Sequence, residues 1–251
     1  GVPPLRNFLG IPIRFDHEVV GLIGLGNSEH AFDPNLLDLL APLASTLATL
    51  IHARKQEEAR MEAEQEWLRL ATEDTLTGLP NRRHFFDVAE TCLLQTRRYG
   101  NPMTIALLDL DNFKQINDTY GHSAGDEVLR VLADILRQTL RDSDTPSRIG
   151  GEEFAVILPQ TPRGGAIGLA EARRALVAAS RVRRTGDEGP LIGNITVSIG
   201  VADYLAGESA TDFVNRADRA LYLAKTQGRN RVILAPRPQP ATGRQADPLP
   251  R

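Results

Sequence analysis

Two pairs of carboxylates in this chain each adjoin a short apolar segment. Asp109 and Asp111 end the run Thr-Ile-Ala-Leu-Leu-Asp-Leu-Asp, and Glu152 and Glu153 directly follow two glycines. Paired carboxylates repel each other unless a cation absorbs their charge, and Mg²⁺ prefers carboxylate and carbonyl oxygens together with substrate phosphates. The pattern therefore favours a site for a divalent metal and a nucleotide phosphate. Two plainer readings stay open, because exposed Glu-Glu pairs are common on protein surfaces and aspartates can simply end a strand.

The elements that must position these carboxylates are two short strands. The apolar run before Asp109 predicts a buried strand, and a period of two residues places Asp109 and Asp111 on the same side of it. Gly150 and Gly151 predict a tight hairpin, on the expectation that the turn requires a positive φ. If the two strands pair, Asp109 and Glu152 converge on one cation.

A second group of polar residues lies downstream of the aspartates. Asn117 and Asp126 are predicted to lie in a loop that Gly121 and Gly125 punctuate. A carboxylate accepts hydrogen bonds from the ring N–H and the amino group of guanine, while an amide can bond both ways. Lys114 is suited to a phosphate. Taken one at a time, these residues are also common as turn residues or helix caps.

In this order, the motifs resemble the GGDEF family of diguanylate cyclases. The matching segments are 74–83, 109–114, 117–118, 121–122, 125–126, 148–154, 196–201, 217–225 and 228–230. The resemblance runs from residue 70 to residue 235. A lone Gly-Gly-Glu-Glu-Phe would be a weak signal, whereas the ordered set is specific.

The resemblance implies an enzyme that condenses two GTP molecules, one on each domain of a homodimer, into cyclic di-GMP and two pyrophosphates. Mg²⁺ is the implied cofactor, with Mn²⁺ as the alternative. The implied catalytic and metal-binding residues are Asp109, Leu110 through its carbonyl, Glu152 and Glu153. Glu153 is either a metal ligand or the group that activates the attacking hydroxyl. The implied substrate-binding residues are Asn112, Phe113, Lys114, Asn117, Asp126, Lys225 and Arg229.

The resemblance also assigns roles within the substrate site and suggests a regulatory site. Asn117 and Asp126 would read guanine, and the lysines and Arg229 would contact the phosphates. Arg141 and Asp144 form an Arg-x-x-Asp sequence before the hairpin, a spacing that marks an inhibitory product site in the family. Arg174 resembles the second arginine of that site, although a neighbouring arginine leaves the register open. Arg and Asp at this spacing also arise by chance.

Composition bounds the class of protein. With 251 residues, a formal net charge of −3 and 41% hydrophobic residues, the chain is expected to be a soluble globular protein that does not bind nucleic acid by bulk charge. The lone Cys92 excludes an internal disulfide and suits a reducing cytoplasm, which is the expected location. No signal peptide and no uninterrupted apolar run near the membrane-spanning length is found, so no membrane segment is expected.

The chain is predicted to contain four regions. Residues 1–52, two strands and an apolar helix, resemble the end of a GAF sensor domain and lack the strands that would complete a ligand pocket. Residues 53–72 predict a helical linker that either pairs in parallel with a second copy or is simply solvated. Residues 73–235 form the predicted cyclase domain, and residues 236–251, which are rich in proline, predict a disordered tail.

The expected fold class is α+β, with a central, mostly antiparallel sheet flanked by helices in a palm-like cyclase core. An N-terminal partial α/β fragment and a long connecting helix precede it. Helices are expected near 82–98, 123–140, 164–183 and 211–226, with the basic run 181–184 at the solvated end of the third. Two alternatives to an active cyclase stay open: a catalytically silent module that binds GTP or cyclic di-GMP, and a dimerisation scaffold.

Overall fold

The computed structural model describes residues 4–28, 30, 32–33, 35–183 and 191–237. Contacts divide the chain into two units, residues 1–69 and 70–251. The predicted tail lies outside the described residues except for its first two positions, 236 and 237.

The first unit contains a hairpin and a long helix. Strands β1 (Phe8–Phe15) and β2 (Glu18–Gly26) pair antiparallel, and Asp16 takes the left-handed φ of 53° that the tight turn between them requires. Helix α1 (Asn35–Thr72) follows. The predicted linker is therefore the second half of one continuous helix, and Arg–Glu pairs three or four residues apart cover this exposed half.

By length and composition alone, α1 is apolar enough in its first half to cross a membrane, and it is the one such helix in the described part of the chain. Core helices of soluble proteins and signal sequences meet the same criterion, so a single such helix is weak evidence for a span. Counting uninterrupted apolar residues missed this segment because Asp38 and Pro42 interrupt it. The absence of a membrane segment stays a prediction.

The second unit is built on a five-stranded sheet with the order β4-β5-β3-β8-β9. Its strands are β3 (Met103–Leu110), β4 (Thr145–Arg148), β5 (Glu153–Pro159), β8 (Val197–Asp203) and β9 (Val232–Leu234). All its strand pairs are antiparallel except β8–β9. This confirms the predicted fold class. Every residue of the central strand β3 is buried, which is why that segment reads as a continuous apolar run.

Helices cover both faces of this sheet. They are α2 (Arg82–Tyr99), α3 (Phe113–Tyr120), α4 (His122–Thr139), α5 (Arg163–Ala179) and α6 (Ala210–Thr226). One hydrophobic cluster joins α2 and α6 to the sheet around the fully buried Phe85 and Phe213. The other joins α4 and α5 to the opposite face around Phe154.

The third predicted helix was drawn too long. Helix α5 ends at Ala179, and Arg181–Arg183 forms strand β6, which pairs with β7 (Leu191–Asn194). Val182 is buried while Arg181 is exposed, the alternation of a strand with one covered face. The prediction of a solvated helix end was therefore wrong for residues 181–183, and residue 184 lies outside the described residues.

Pro146 and Gly200 explain two features of the main sheet, namely which strand lies at its edge and how closely α6 packs on it. Pro146 lies in β4, the edge strand, where its missing N–H removes no ladder bond from the sheet interior. Gly200 in β8 lets α6 approach closely, because a Cβ there would lie 2.2 Å from the Ala217 carbonyl oxygen and from the Leu221 nitrogen. This close contact brings the end of α6 to the end of β3.

Candidate active site

Asp109 is the buried carboxylate at the end of β3. It lies opposite Glu153 of β5 and Ser198 of β8, and its Oδ2 atom is 2.7 Å from Lys225 Nζ in the last turn of α6. Burial raises the pKa of Asp109 to about 6, and the charges of Glu152 and Glu153 add to this effect, while Lys225 opposes it. A carboxylate so placed is held ready for a cation.

The glycine hairpin lies beside this carboxylate, but its turn differs from the prediction. Neither Gly150 nor Gly151 takes a positive φ, so that expectation was wrong. The Ile149 and Gly150 amides both donate to the Glu153 carbonyl, at 2.9 and 3.3 Å. These two hydrogen bonds close the turn without a positive φ. A Cβ on Gly150 would lie 2.4 Å from Glu153 Oε2, so a larger residue here would displace the end of the Glu153 side chain.

Arg148 connects the hairpin to the start of the second unit. Its Nη1 atom donates to Asp74 at 2.9 Å, and its Nη2 atom donates to the Gly151 carbonyl at 2.7 Å. Burial works to raise the pKa of Asp74, but hydrogen bonds from Thr77 and Arg148 outweigh it, and the pKa is lowered. The hairpin is thereby tied to the turn over residues 74–80, a contact that sequence reasoning did not anticipate.

The donor atoms around Asp109 suit a hard cation in type and in backbone position. The Leu110 amide donates to the Glu152 carbonyl at 3.3 Å, so residues 109–110 and 152–153 lie side by side on neighbouring chain segments. Across the described residues, however, no group of three or more His, Cys, Asp or Glu side chains is gathered as a metal cluster. The predicted ligands are thus adjacent along the strands, and Lys225 supplies the positive charge next to Asp109.

The predicted guanine-reading residues are brought together, but on helices. Asn117 lies in α3, so the expectation of a loop was wrong there; Asp126 lies in the first turns of α4, within the helix predicted near 123–140. Only Gly121, with a φ of 86°, separates the two helices. A Cβ on Gly125 would lie 2.0 Å from Asn117 Oδ1. The α3–α4 corner therefore holds the Asn117 amide against the α4 backbone, one residue from the half-buried Asp126.

The remaining predicted substrate residues lie around this corner and at the end of α6. Asn112 starts α3 with a left-handed φ of 58°, Phe113 packs into the core, and Lys114 is exposed. Arg229 is exposed in the turn after α6, where Gly228, Arg229 and Asn230 have φ values of 117°, 61° and 45°. Lys225 is the residue of this set that contacts a predicted metal-binding residue, Asp109.

Asp111 has a structural role that the sequence did not reveal. Its Oδ1 atom accepts from Ser198 Oγ at 2.6 Å, and its Oδ2 atom accepts from Thr196 Oγ1 at 2.8 Å and from the Asn230 amide at 2.9 Å. It follows the end of β3 and is buried. The periodicity that placed it beside Asp109 was the available signal, but its partners are distant in sequence.

Comparison with known proteins identifies the family. The profile described as "Diguanylate cyclase, GGDEF domain" matches residues 71–231. The chain belongs to the GGDEF family of diguanylate cyclases. A GAF domain profile matches residues 1–52. Both results confirm the resemblances predicted from the motifs.

Individual relatives of this GGDEF protein extend the match. Diguanylate cyclase A of Treponema denticola is 35% identical over 232 residues, which are 90% of this chain and 58% of that protein. DgcM of Escherichia coli K12 is 44% identical over 179 residues, 71% of this chain and 42% of that protein. The chain thus spans about half the length of these curated relatives.

Among solved structures, the coiled coil and GGDEF domain of DgcB from Caulobacter crescentus, in complex with c-di-GMP, has a TM-score of 0.70. It is 35% identical, and the match covers 76% of this chain and all of that one. The similarity extends beyond the sheet to much of the chain.

The predicted inhibitory site of this GGDEF domain is only partly brought together. Arg141 and Asp144 form a turn in which the Arg141 amide donates to Asp144 Oδ2 at 3.1 Å. Arg173 lies beside them and donates to the Thr139 carbonyl. The pKa of Arg173 is lowered, chiefly by burial and in part by the charge of Arg141, while the charge of Asp144 works in the opposite direction. The predicted Arg174 is directed elsewhere, with Nη1 2.8 Å from Asn230 Oδ1. The structure therefore gathers Arg173, and not Arg174, with the Arg-x-x-Asp turn.

Proposed function

We propose that this chain is a diguanylate cyclase that condenses two GTP molecules into cyclic di-GMP and two pyrophosphates. The observation that carries the proposal is the buried Asp109 beside Lys225, directly across from an intact Gly-Gly-Glu-Glu-Phe hairpin. The residue types that this reaction requires, carboxylates for a metal and a cation for the phosphates, are present at this edge of the sheet. Membership of the GGDEF family supports the same reaction.

Guanine recognition would use the α3–α4 corner. The Asp126 carboxylate accepts from the guanine ring N–H and amino group, and the Asn117 amide, held against Gly125, bonds to the same edge. Adenine presents a different donor and acceptor pattern to a carboxylate, so it would leave Asp126 unpaired. This corner accounts for a preference for GTP over ATP.

The phosphates would lie between this corner and the end of α6. Lys114 and Lys225 would meet them as mobile point charges, and Arg229 would bind them as a planar fork. Lys225 has its ammonium on Asp109 in the nucleotide-free protein. Substrate binding would draw this ammonium toward the phosphates, and the Asp109 carboxylate would then be available to a cation.

A divalent metal, Mg²⁺ or Mn²⁺, would be held by Asp109, the Leu110 carbonyl and Glu152. When bound, it supplies positive charge that offsets the charge developing on the transferred phosphoryl group. Glu153, whose carboxylate fits against Gly150, either completes this ligand set or accepts the proton of the attacking 3′-hydroxyl. Both roles require the Glu153 carboxylate at its place in the hairpin.

Closing the ring requires two sites, because each 3′-hydroxyl attacks the α-phosphorus of the other nucleotide. A homodimer in which two hairpins face each other would satisfy this requirement. Binding of the product at Arg141, Asp144 and Arg173 would oppose this approach of the two hairpins, because the Arg141–Asp144 turn directly precedes β4 and the hairpin. Arg173 replaces Arg174 in this proposal.

The test is chromatographic analysis of the products formed from GTP and Mg²⁺. The parent is expected to release cyclic di-GMP, and Glu152→Gln, which keeps the shape but not the charge, is expected to lose nearly all of it. Glu62→Gln, on the exposed face of α1, serves as the matched control and should behave as the parent. A folded parent that binds GTP and releases no product would instead support a silent nucleotide-binding module.

A further inference from the structure

The turn that carries Arg229 is an unusual piece of backbone. Gly228, Arg229 and Asn230 are three consecutive residues with positive φ, a conformation that Gly and Asn tolerate and that the Arg229 side chain disfavours. Such a turn persists only where its surroundings hold it in place. The Arg229 amide donates to the Ala224 carbonyl at 3.0 Å, which ties the turn to α6.

The second tie comes from Asp111. The backbone N–H of Asn230, the residue after the strained Arg229, donates to Asp111 Oδ2 at 2.9 Å. The carboxylate is itself fixed by the Ser198 and Thr196 hydroxyls, so it cannot easily follow the turn if the turn moves. A buried carboxylate with three fixed donors is a rigid anchor.

We infer that Asp111 is a positioning residue that holds the Arg229 guanidinium in place for the nucleotide phosphates. The inference rests on the proposed function, in which Arg229 binds phosphate. Asp111 itself touches neither nucleotide nor metal in this proposal. It acts through the backbone of Asn230, one residue from the side chain that it positions.

Variants at this position separate positioning from general packing. Asp111→Asn keeps one oxygen for the Asn230 amide, and its NH₂ group can donate to the Ser198 hydroxyl, which can rotate to accept. Asp111→Ala removes the anchor altogether. Thr104→Val is the matched control, because it removes a buried side-chain hydrogen bond, to the Thr161 carbonyl, at the opposite end of β3.

The experiment measures binding of 3′-deoxy-GTP, which cannot react, and of GMP, which lacks the outer phosphates. We expect Asp111→Ala to weaken 3′-deoxy-GTP binding about tenfold, the scale of one charge-assisted hydrogen bond, and to leave GMP binding unchanged. Asp111→Asn should restore most of the loss, and Thr104→Val should bind both nucleotides as the parent does. In an Arg229→Ala background, Asp111→Ala should have no further effect on 3′-deoxy-GTP.

Several results would overturn the inference. Equal weakening for GMP and 3′-deoxy-GTP, or additive effects with Arg229→Ala, would make Asp111 a general packing residue while leaving the cyclase proposal intact. If Asp111→Ala is unfolded by circular dichroism, Asp111→Ser replaces it, since its short hydroxyl stays polar but does not reach the turn. Unfolding of both would make Asp111 a folding determinant and reject the positioning role.

The parent separates this inference from the proposed function. A parent that binds 3′-deoxy-GTP but forms no cyclic di-GMP from GTP would refute the cyclase and still permit the positioning test. A parent that binds no nucleotide would overturn both.

Discussion

At Asp109, burial and charge work against each other. The carboxylate is 3% exposed, and among the described side chains its one ion-pair partner is Lys225. Burial favours the neutral acid, whereas metal binding requires the ionised form. If Asp109 holds a metal, as proposed above, the protein without nucleotide therefore carries an unfavourable charge at its metal site.

The first prediction concerns the pH dependence of stability. The pKa of Asp109 is about 6 in the folded protein and near 4 in an unfolded chain, so between these values the folded state binds more protons. Its contribution to stability is complete at lower pH and is lost as the pH rises through 6. In metal-free urea titrations, we expect the unfolding free energy of the parent to fall relative to Asp109→Asn by about 2 kcal/mol from pH 4 to pH 7. A difference that is flat or rises with pH would contradict the prediction.

The second prediction concerns the space at Gly125. Gly125→Ala would place a Cβ against Asn117 Oδ1 and displace the amide from the guanine edge. We expect GTP binding to weaken about tenfold, as for a lost hydrogen bond in a polar recognition site. Gly168→Ala is the control: it lies in α5, where a Cβ meets nothing within 4 Å, and should raise stability by about 0.5–1 kcal/mol. Unchanged binding by folded Gly125→Ala would show that Asn117 does not read the base.

At the level of elements, the site depends on α6 lying against β8. Gly200 permits this contact, and the contact in turn brings Lys225 to Asp109 and the Arg229 turn to Asp111. Helix α6 begins with a Ser209 cap, whose hydroxyl accepts from the Asp212 amide at 3.1 Å. Small changes in the packing of this helix would therefore reach both the carboxylates and the phosphate-binding turn.

The third prediction tests that packing. Gly200→Ala would place a Cβ 2.2 Å from backbone atoms of α6, which cannot move as a flexible side chain can. Overpacking of this kind should lower the unfolding free energy by about 3 kcal/mol, measured by urea denaturation with Gly168→Ala as the control. A loss below about 1 kcal/mol would mean that α6 shifts freely on the sheet.

The fourth prediction tests the link between the hairpin and residue 74. Arg148→Lys keeps the charge but loses the fork that joins Asp74 to the Gly151 carbonyl. We expect a loss of about 1–2 kcal/mol in unfolding free energy and a several-fold lower rate of cyclic di-GMP formation, because the Glu152–Glu153 segment is less firmly held. Arg130→Lys, which alters an exposed pair with Glu127, should change neither quantity. If Arg148→Lys and Arg130→Lys behaved alike, Arg148 would not hold the hairpin in place.

Much of this arrangement could be predicted from local sequence, because its signals are local. The apolar run of β3, the hairpin glycines and the helical spacing of α2, α4 and α6 each lie within one segment. Asp111 was predicted as one of a carboxylate pair, but its bonds to Thr196, Ser198 and Asn230 escaped prediction because these partners are 85, 87 and 119 residues away. Strand β6 escaped because a three-residue strand has too short an alternation to detect, and α3 escaped because its polar residues are equally typical of loops.

At the level of the whole molecule, the proposed function needs two copies of the GGDEF domain. In that proposal the α3–α4 corner, the carboxylates and the Arg229 turn of one copy bind one nucleotide, and the second nucleotide is bound by the other copy. The exposed apolar side chains of α1, including Leu39 and Leu50, lie in a different unit from this site. If this apolar face of α1 pairs with a second copy, association and catalysis would be carried by separate units of the chain.

The fifth prediction follows from the need for two copies. Cyclic di-GMP formation per protomer should fall on dilution through the range in which a dimer dissociates, because a lone protomer cannot close the ring. Sedimentation and initial rates, measured over the same concentrations with Arg130→Lys in α4 as the control, check it. A rate per protomer that stays constant while the protein becomes monomeric would exclude a reaction across two copies.

The edges of the main sheet and of the β1–β2 hairpin bear on aggregation. In the main sheet, Pro146 removes a donor from the edge strand β4, and the opposite edge, β9, is only three residues long. Neither edge offers a long row of unpaired amides to another chain. The β1–β2 hairpin differs: its two longer strands pair only with each other among the described residues. Pro12 interrupts β1, but β2 has no proline and carries Val, Leu and Ile between Gly21, Gly24 and Gly26. Precipitation of this protein on storage should therefore begin at the hairpin and leave the cyclase sheet intact.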